Sequence, residues 1–264
     1  MPIMPERFID GFSIPLIFVL LALAGMAVYE IGFRLGRWHQ ARTRDEQEGF
    51  ADTLVGALLA LLAFLLAFTV GMASSRFDAR NDLALREANA IQTAWLRAMM
   101  LPEPFAENAR ELLREYVPLR VREADRAVNE ANLRQTLAIQ EQLWNGADEA
   151  QRQEDDLTMV GLYAEALNQM FDLQTERHVV GVYARVPATV LYMLIVVGIL
   201  TTIMVGYNAG LVGQRSLASA VILLAVMVAI MVLVIDLDRP ADGLLSVSQQ
   251  ALVDLQELIS PPQP

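Results

Sequence analysis

The stretch "FLLAFTVGMASSRFDARNDLALREANAIQTAWLRA", Phe64 to Ala98, decides the fold. It starts as bilayer hydrocarbon and ends as a charged, water-compatible helix, and no Pro or Gly interrupts it after Gly71. A segment of this kind predicts one helix leaving a membrane and continuing into water, stiffening the link between the two layers. Composition agrees with a layered chain. Of 264 residues, 55% are hydrophobic and 19% charged, which suggests apolar spans plus a separate polar region. There is no Cys, which excludes disulfides and thiolate metal sites. All basic residues are Arg, and the net charge is −11, so a nucleic-acid partner, which needs a basic face, is not expected.

Four apolar segments reach the roughly 20 residues that a bilayer requires: Ile14–Phe33, Thr53–Ala73, Pro187–Tyr207 and Leu217–Ile235. The first could be read as a secretory signal. Glu6 and Asp10 weaken its leading region, however, and Arg34, Arg37, Arg42 and Arg44 follow it without a small-residue cleavage site, so it reads as a retained span. The polar insert reads as helix throughout. Pro102 and Pro104 mark a turn and a restart, Pro118 a kink, and "NGADEAQRQEDD" (145–156) a loop. Leu112, Leu113, Tyr116, Leu119 and Val121, and later Leu157, Leu162, Ala166, Met170 and Leu173, recur at helical spacing. The expected fold class is an all-α membrane protein, four transmembrane helices with a helical extramembrane domain between spans two and three. The segments are 1–75 (transmembrane hairpin), 76–185 (helical domain), 186–236 (second hairpin) and 237–264, a polar tail with a short amphipathic helix.

Two faces of the second span attract attention. Gly56, Ala60, Ala63, Ala67, Gly71 and Ser74 form a small-residue stripe suited to close helix packing or to lining a pore. Phe64 and Phe68 lie one turn apart, with Ala60 a turn earlier. Just past the bilayer, Arg76, Arg80, Arg86 and Glu87 read as a polar surface. "IDLDRPADG" (235–243) follows the fourth span and emerges on the same membrane side as Arg76. A boundary charge needs a partner or water, so Asp236, Asp238 and Asp242 are expected to pair with Arg76 or Arg80, with Arg239 beside them. Calcium is the other possible use of these carboxylates, although no dense acidic run or EF-hand pattern is present. Otherwise no cofactor is expected. An enzyme is not expected either: His39 and His178 are isolated, and no nucleophile elbow, phosphate loop or zincin motif occurs.

"FLLAFTVGMASSRFDAR" resembles the second transmembrane helix of bestrophins, whose neck precedes an Arg-aromatic-x-Glu-Ala-Arg signature; Arg76, Phe77, Ala79 and Arg80 match it approximately. Together with "EANAIQTAWLRA", "LREYV" and "LDRPADGLLSVS", it resembles the bestrophin-like prokaryotic membrane proteins grouped as a domain of unknown function. The resemblance implies a homo-oligomer, a pentamer around a central pore, conducting small anions in the plasma (inner) membrane. Ala60, Phe64 and Phe68 would stand at the neck. A non-conducting, membrane-anchored helical sensor or assembly scaffold is the alternative.

Membrane orientation follows from Arg placement. The short loops 34–50 and 208–216 hold five Arg, against Arg7 and Arg239 in the short tails opposite. That count places the helical domain outside the cytoplasm. Juxtamembrane Arg76, Arg80, Arg86, Arg177 and Arg185 reverse the count, as does the bestrophin resemblance. The short-loop count predicts that a single cysteine, Glu149→Cys, is labelled in intact cells by a membrane-impermeant thiol reagent. Labelling only after lysis would put the domain in the cytoplasm.

Overall fold

The computed structural model describes residues 11–42, 48–121, 126–153, 157–213, 217–239 and 243–260. Among these, all regular structure is helical: α1 (Ile14–Arg42), α2 (Glu48–Ala98), α3 (Phe105–Arg120), α4 (Arg126–Gln153), α5 (Leu157–Tyr183), α6 (Ala188–Val212), α7 (Leu217–Asp238) and α8 (Gln250–Ile259). α1, α2, α6 and α7 are long and apolar enough to cross a membrane. A bilayer interior offers a peptide group no hydrogen-bond partner, so a spanning segment must satisfy its own backbone, and a helix does that. The chain is therefore an all-α, four-span membrane protein with a helical domain inserted between spans two and three. It divides into two compact units, Met1–Phe77 with Arg185–Leu245, and Asp78–Ala184 with Ser246–Pro264.

In the membrane unit, α1 and α6 make the closest pairing. Gly32 and Gly36 face Gly206 and Gly210, each pair spaced i, i+4. A methyl added at Gly32 or Gly36 would run into the carbonyl of Ile203 or Tyr207, and one at Gly206 or Gly210 into that of Tyr29 or Phe33. Small residues at such spacing let two backbones touch, which supplies van der Waals contact where lipid weakens hydrophobic driving force. This contact explains why α1 continues past Phe33, the expected end of the span. Gly36 still packs on α6, while Arg34 pairs with Glu30 at 2.9 Å and Arg42 lies over Trp38. His39, isolated in sequence, meets the Tyr207 hydroxyl there. α6 ends at Gly213, whose φ of 72° is the left-handed cap that glycine adopts without strain. α7 packs against α1 through Ile14, Ile17, Val228 and Val232.

The helical unit has one core. It comprises Ile91, Ala94 and Ala98 of α2, Leu113, Tyr116 and Val117 of α3, Leu143, Ala147 and Ala150 of α4, and Tyr163, Leu167 and Met170 of α5. The 237–264 segment carries α8, whose Leu252, Leu255 and Ile259 are buried in the same core. Arg114 of α3 donates to the Ile259 carbonyl at 3.0 Å, closing the last turn of α8. The stretch expected as a loop, 145–156, is helical through Gln153. Ala147 and Ala150 bury on α4's inner face, and exposed Asp148–Arg152 and Glu149–Gln153 contacts support the outer one, so the acidic run is a solvated helix face. Leu162, one of the residues at helical spacing, is 37% exposed, and Pro118 lies in the final turn of α3, two residues before that helix ends.

Replacing Gly206 with Ala is expected to destabilise the membrane unit by about 1–3 kcal/mol, as overpacking against a backbone does, and so to lower Tm in detergent. Gly198→Ala is the control, because its methyl would meet only the end of Met227, at 4.0 Å. Equal Tm values for the two variants would remove the close-approach account of α1 and α6.

Candidate functional site

α2 has two sharply different sides. Leu62, Leu66, Thr69 and Ala73 are at most 5% exposed and recur at i, i+4, i+7 and i+11, one helical row. Leu62 and Leu66 pack with Leu194 of α6 and Met227 of α7; Ala73 packs with Val186, Val234 and Leu237. The opposite side is open. Gly56, Ala60, Ala63, Ala67 and Gly71 are exposed, and a methyl added at Gly56 or Gly71 would meet nothing within 4 Å. Phe64 and Phe68, 67% and 57% exposed, stand on this same side. The small-residue stripe and the two rings thus form a surface that, among the described residues, no other helix covers.

Composition separates this surface from the outer faces of the other spans. Exposed positions on α1 are Leu16, Val19, Leu20, Leu23, Ile31 and Leu35. On α6 they include Met193, Val196, Ile199 and Leu200, and on α7 Val221, Ile222 and Val226. Bulky aliphatic side chains of that kind suit lipid tails. α2 also exposes Leu54 and Leu61 but offers mainly Gly and Ala beside its two Phe, and small residues of that kind suit helix-to-helix interfaces in membranes.

The boundary cluster is seated at the end of α7. Asp236, 3% exposed, accepts from the Leu244 and Leu245 amides at 2.7 and 3.0 Å; Asp238, 4% exposed, accepts from the Val186 amide at 2.6 Å. Arg239 donates to the Phe12 carbonyl at 2.7 Å. These groups satisfy main-chain atoms where α7 ends and α6 begins. A side chain at Gly243 would collide with Asp236 Oδ1, which fixes glycine at that turn. Asp242 lies outside the described residues. Arg76 is half-buried, and Arg80, 4% exposed, belongs to the helical unit. Among the described residues no group of three or more His, Cys, Asp or Glu side chains converges as a metal cage would require.

Within the helical unit, Glu87 is not part of a polar surface, as its neighbours in sequence suggested. It is fully buried and accepts from Arg120 Nε at 2.6 Å and from Arg177 Nη1 at 2.5 Å. Arg177 also donates to the Arg120 carbonyl at 3.2 Å and to Gln249 Oε1 at 2.9 Å. One carboxylate thus gathers α2, the end of α3, α5 and the residue before α8. Beside it the Tyr116 hydroxyl receives a bond from Gln140 at 3.1 Å, and burial pushes its pKa up to about 12.

A family model described as a Bestrophin-like domain matches residues 16–252. The chain belongs to the bestrophin-like family. Its fold is similar to the crystal structure of a bacterial bestrophin homolog from Klebsiella pneumoniae that carries a point mutation. The TM-score is 0.62 at 16% identity, over 90% of this chain and 98% of that one. No curated protein matches this bestrophin-like chain.

Two constellations of the bestrophin-like chain escaped the sequence reading. The glycine pairs of α1 and α6 were legible as two G-x-x-x-G patterns. Glu87 was not, because its partners lie 33 and 90 residues away. Glu87→Gln keeps the shape and removes the charge, leaving two buried guanidinium groups facing each other. A cost of about 3–5 kcal/mol, the range for breaking a buried ion pair, is expected. Denaturant unfolding of the full chain, followed by circular dichroism, measures it; wild-type stability in this variant would show that the ion triad contributes nothing.

Proposed function

We propose that this bestrophin-like protein is an oligomeric ion channel of the plasma (inner) membrane whose conduction path is lined by α2. The observation that carries the reading is the open surface of that helix: among the described residues it is mostly Gly and Ala with two Phe, and Leu54 and Leu61 stand at its edge. A symmetric homo-oligomer covers such a surface by repeating it around an axis, and the family resemblance implies five copies. Ala and Gly allow the copies to approach. Phe64 and Phe68, one turn apart, then form two successive apolar rings, where a narrow column of water becomes unfavourable and passage is gated by dewetting. The resemblance implies small anions as the permeant ions.

Purified protein in planar bilayers tests the reading. Phe68→Ala, checked for intact assembly by size-exclusion chromatography, is expected to raise single-channel conductance or open probability by about twofold or more, because a wider constriction holds water more easily. Unchanged conductance in this variant would defeat the neck assignment. A wild-type protein that is monomeric and electrically silent would leave the membrane-anchored helical scaffold as the function.

A further inference from the structure

The end of α1 changes character without changing face. Leu16, Leu20, Leu23 and Ala27 are exposed and recur along one row of the helix. Arg34 lies 18 residues after Leu16, about five whole turns at 3.6 residues per turn, and so stands on that same row. Arg37 and Trp38 flank the row one turn later, and Arg42 follows Trp38 by another turn. Gly32 and Gly36, which rest on α6, occupy the opposite side. The side of α1 that suits lipid tails along the span thus becomes arginine and tryptophan at its end.

These groups face outward. The Arg34 side chain is 79% exposed, and Arg37, Trp38 and Arg42 are exposed as well. Arg42 lies 4.0 Å over the Trp38 ring, which keeps an indole and a guanidinium together. Arg37 stands beside Gly213, at the turn that ends α6. Glu30 is the one acid in α1, and its contact with Arg34 is a largely solvated ion pair of little strength. Three guanidinium groups therefore meet one carboxylate. Of the acids that follow, Asp52 is held by Asn208 at 2.6 Å. Asp45, Glu46 and Glu48 precede it in sequence, so the positive charge belongs to the α1 face and not to the connection as a whole. Arginines of the other membrane boundary are placed differently: Arg239 is buried and donates to the Phe12 carbonyl, and Arg76 is half-buried.

We infer that the end of α1, through Arg34, Arg37 and Arg42 with Trp38 beside them, binds the headgroup of an anionic phospholipid. The inference needs α1 to span the membrane and does not depend on conduction. An indole ring settles at headgroup level because one end of it is apolar and the other polar. Arginine stems run along apolar surface and carry the charge to water, where the planar guanidinium offers paired donors to a phosphate. From Arg34 to Arg42 the helix rises about 12 Å, at 1.5 Å per residue, so the three charges form one patch. Phosphatidylglycerol brings a net negative charge to such a patch. Phosphatidylcholine carries a quaternary amine that cancels its phosphate. Basic groups next to a bilayer are drawn to the first kind of surface and not to the second.

Trp38 reports on the lipids beside it, because the other two tryptophans, Trp95 and Trp144, belong to the helical unit. The full chain is reconstituted in mixed vesicles of phosphatidylglycerol and phosphatidylcholine, with bromine on the upper acyl chain of one lipid at a time. A Trp38→Phe sample subtracts the emission of Trp95 and Trp144. Quenching of Trp38 is expected to favour phosphatidylglycerol by about threefold or more at low salt, and less at high salt, where exposed charges are screened. Arg34→Gln, Arg37→Gln and Arg42→Gln together are expected to bring the ratio to about one, whereas Lys at the same three positions keeps the charge and a preference. Size-exclusion chromatography and circular dichroism check folding. If the triple variant fails to fold, Arg42→Gln alone, beyond the glycine contact with α6, is expected to lower the ratio. Equal quenching by the two lipids in wild type overturns the inference and leaves these arginines as a signal for orientation only. A preference that the substitutions do not move overturns it too, since the anionic lipid is then held elsewhere. So does a Trp38 that neither lipid quenches, because this side of α1 would then be covered by protein.

Discussion

A peptide group has no hydrogen-bond partner in hydrocarbon, and the architecture depends on that constraint. It dictates four helices, but it does not say how they associate, because lipid tails solvate Leu and Ile as well as another helix does. Association must come from shape. α1 and α6 achieve it by giving up side chains at Gly32, Gly36, Gly206 and Gly210, so that backbone rests on backbone. Once that pair is closed, α7 joins through α1, and the spanning part of α2 packs on α6 and α7 along a single row that includes Leu62, Leu66 and Ala73. One side of α2, mostly Gly, Ala and Phe, is left uncovered by the other described helices.

That leftover side gives the fold its functional meaning. An outward face exposed to lipid gains by being bulky and aliphatic, as on α1, α6 and α7. A face built from small residues makes poor contact with flexible tails and good contact with another rigid helix. The two rings of Phe64 and Phe68 interrupt the small-residue surface where close contact would otherwise run on, which suits a constriction better than a packing seam.

Much of this was legible in the sequence. Four spans followed from the length of the apolar runs, and helical spacing alone put Phe64 and Phe68 near one side of a helix. Which side of α2 would be left uncovered was not legible, because that depends on where Leu194 and Met227 fall on helices more than a hundred residues away. The end of α1 was missed because Arg34 and Arg37 resemble the start of a loop, yet long arginine side chains extend from a helix end to water while its glycines stay packed. The 145–156 segment misled for a related reason: Gly146 and the acids read as a turn, while Ala147 and Ala150, too small to draw notice, carry the buried face.

The continuity of α2 does more than stiffen the chain. In the helical unit its second half buries Arg80, Glu87, Ile91, Ala94 and Ala98, each at most 4% exposed. Burial sorts the charges of this half. A group on the buried row loses water and must be answered by its own chain, as Glu87 is by Arg120 and Arg177. An exposed group, as Asp78 and Asp82 are, keeps its water.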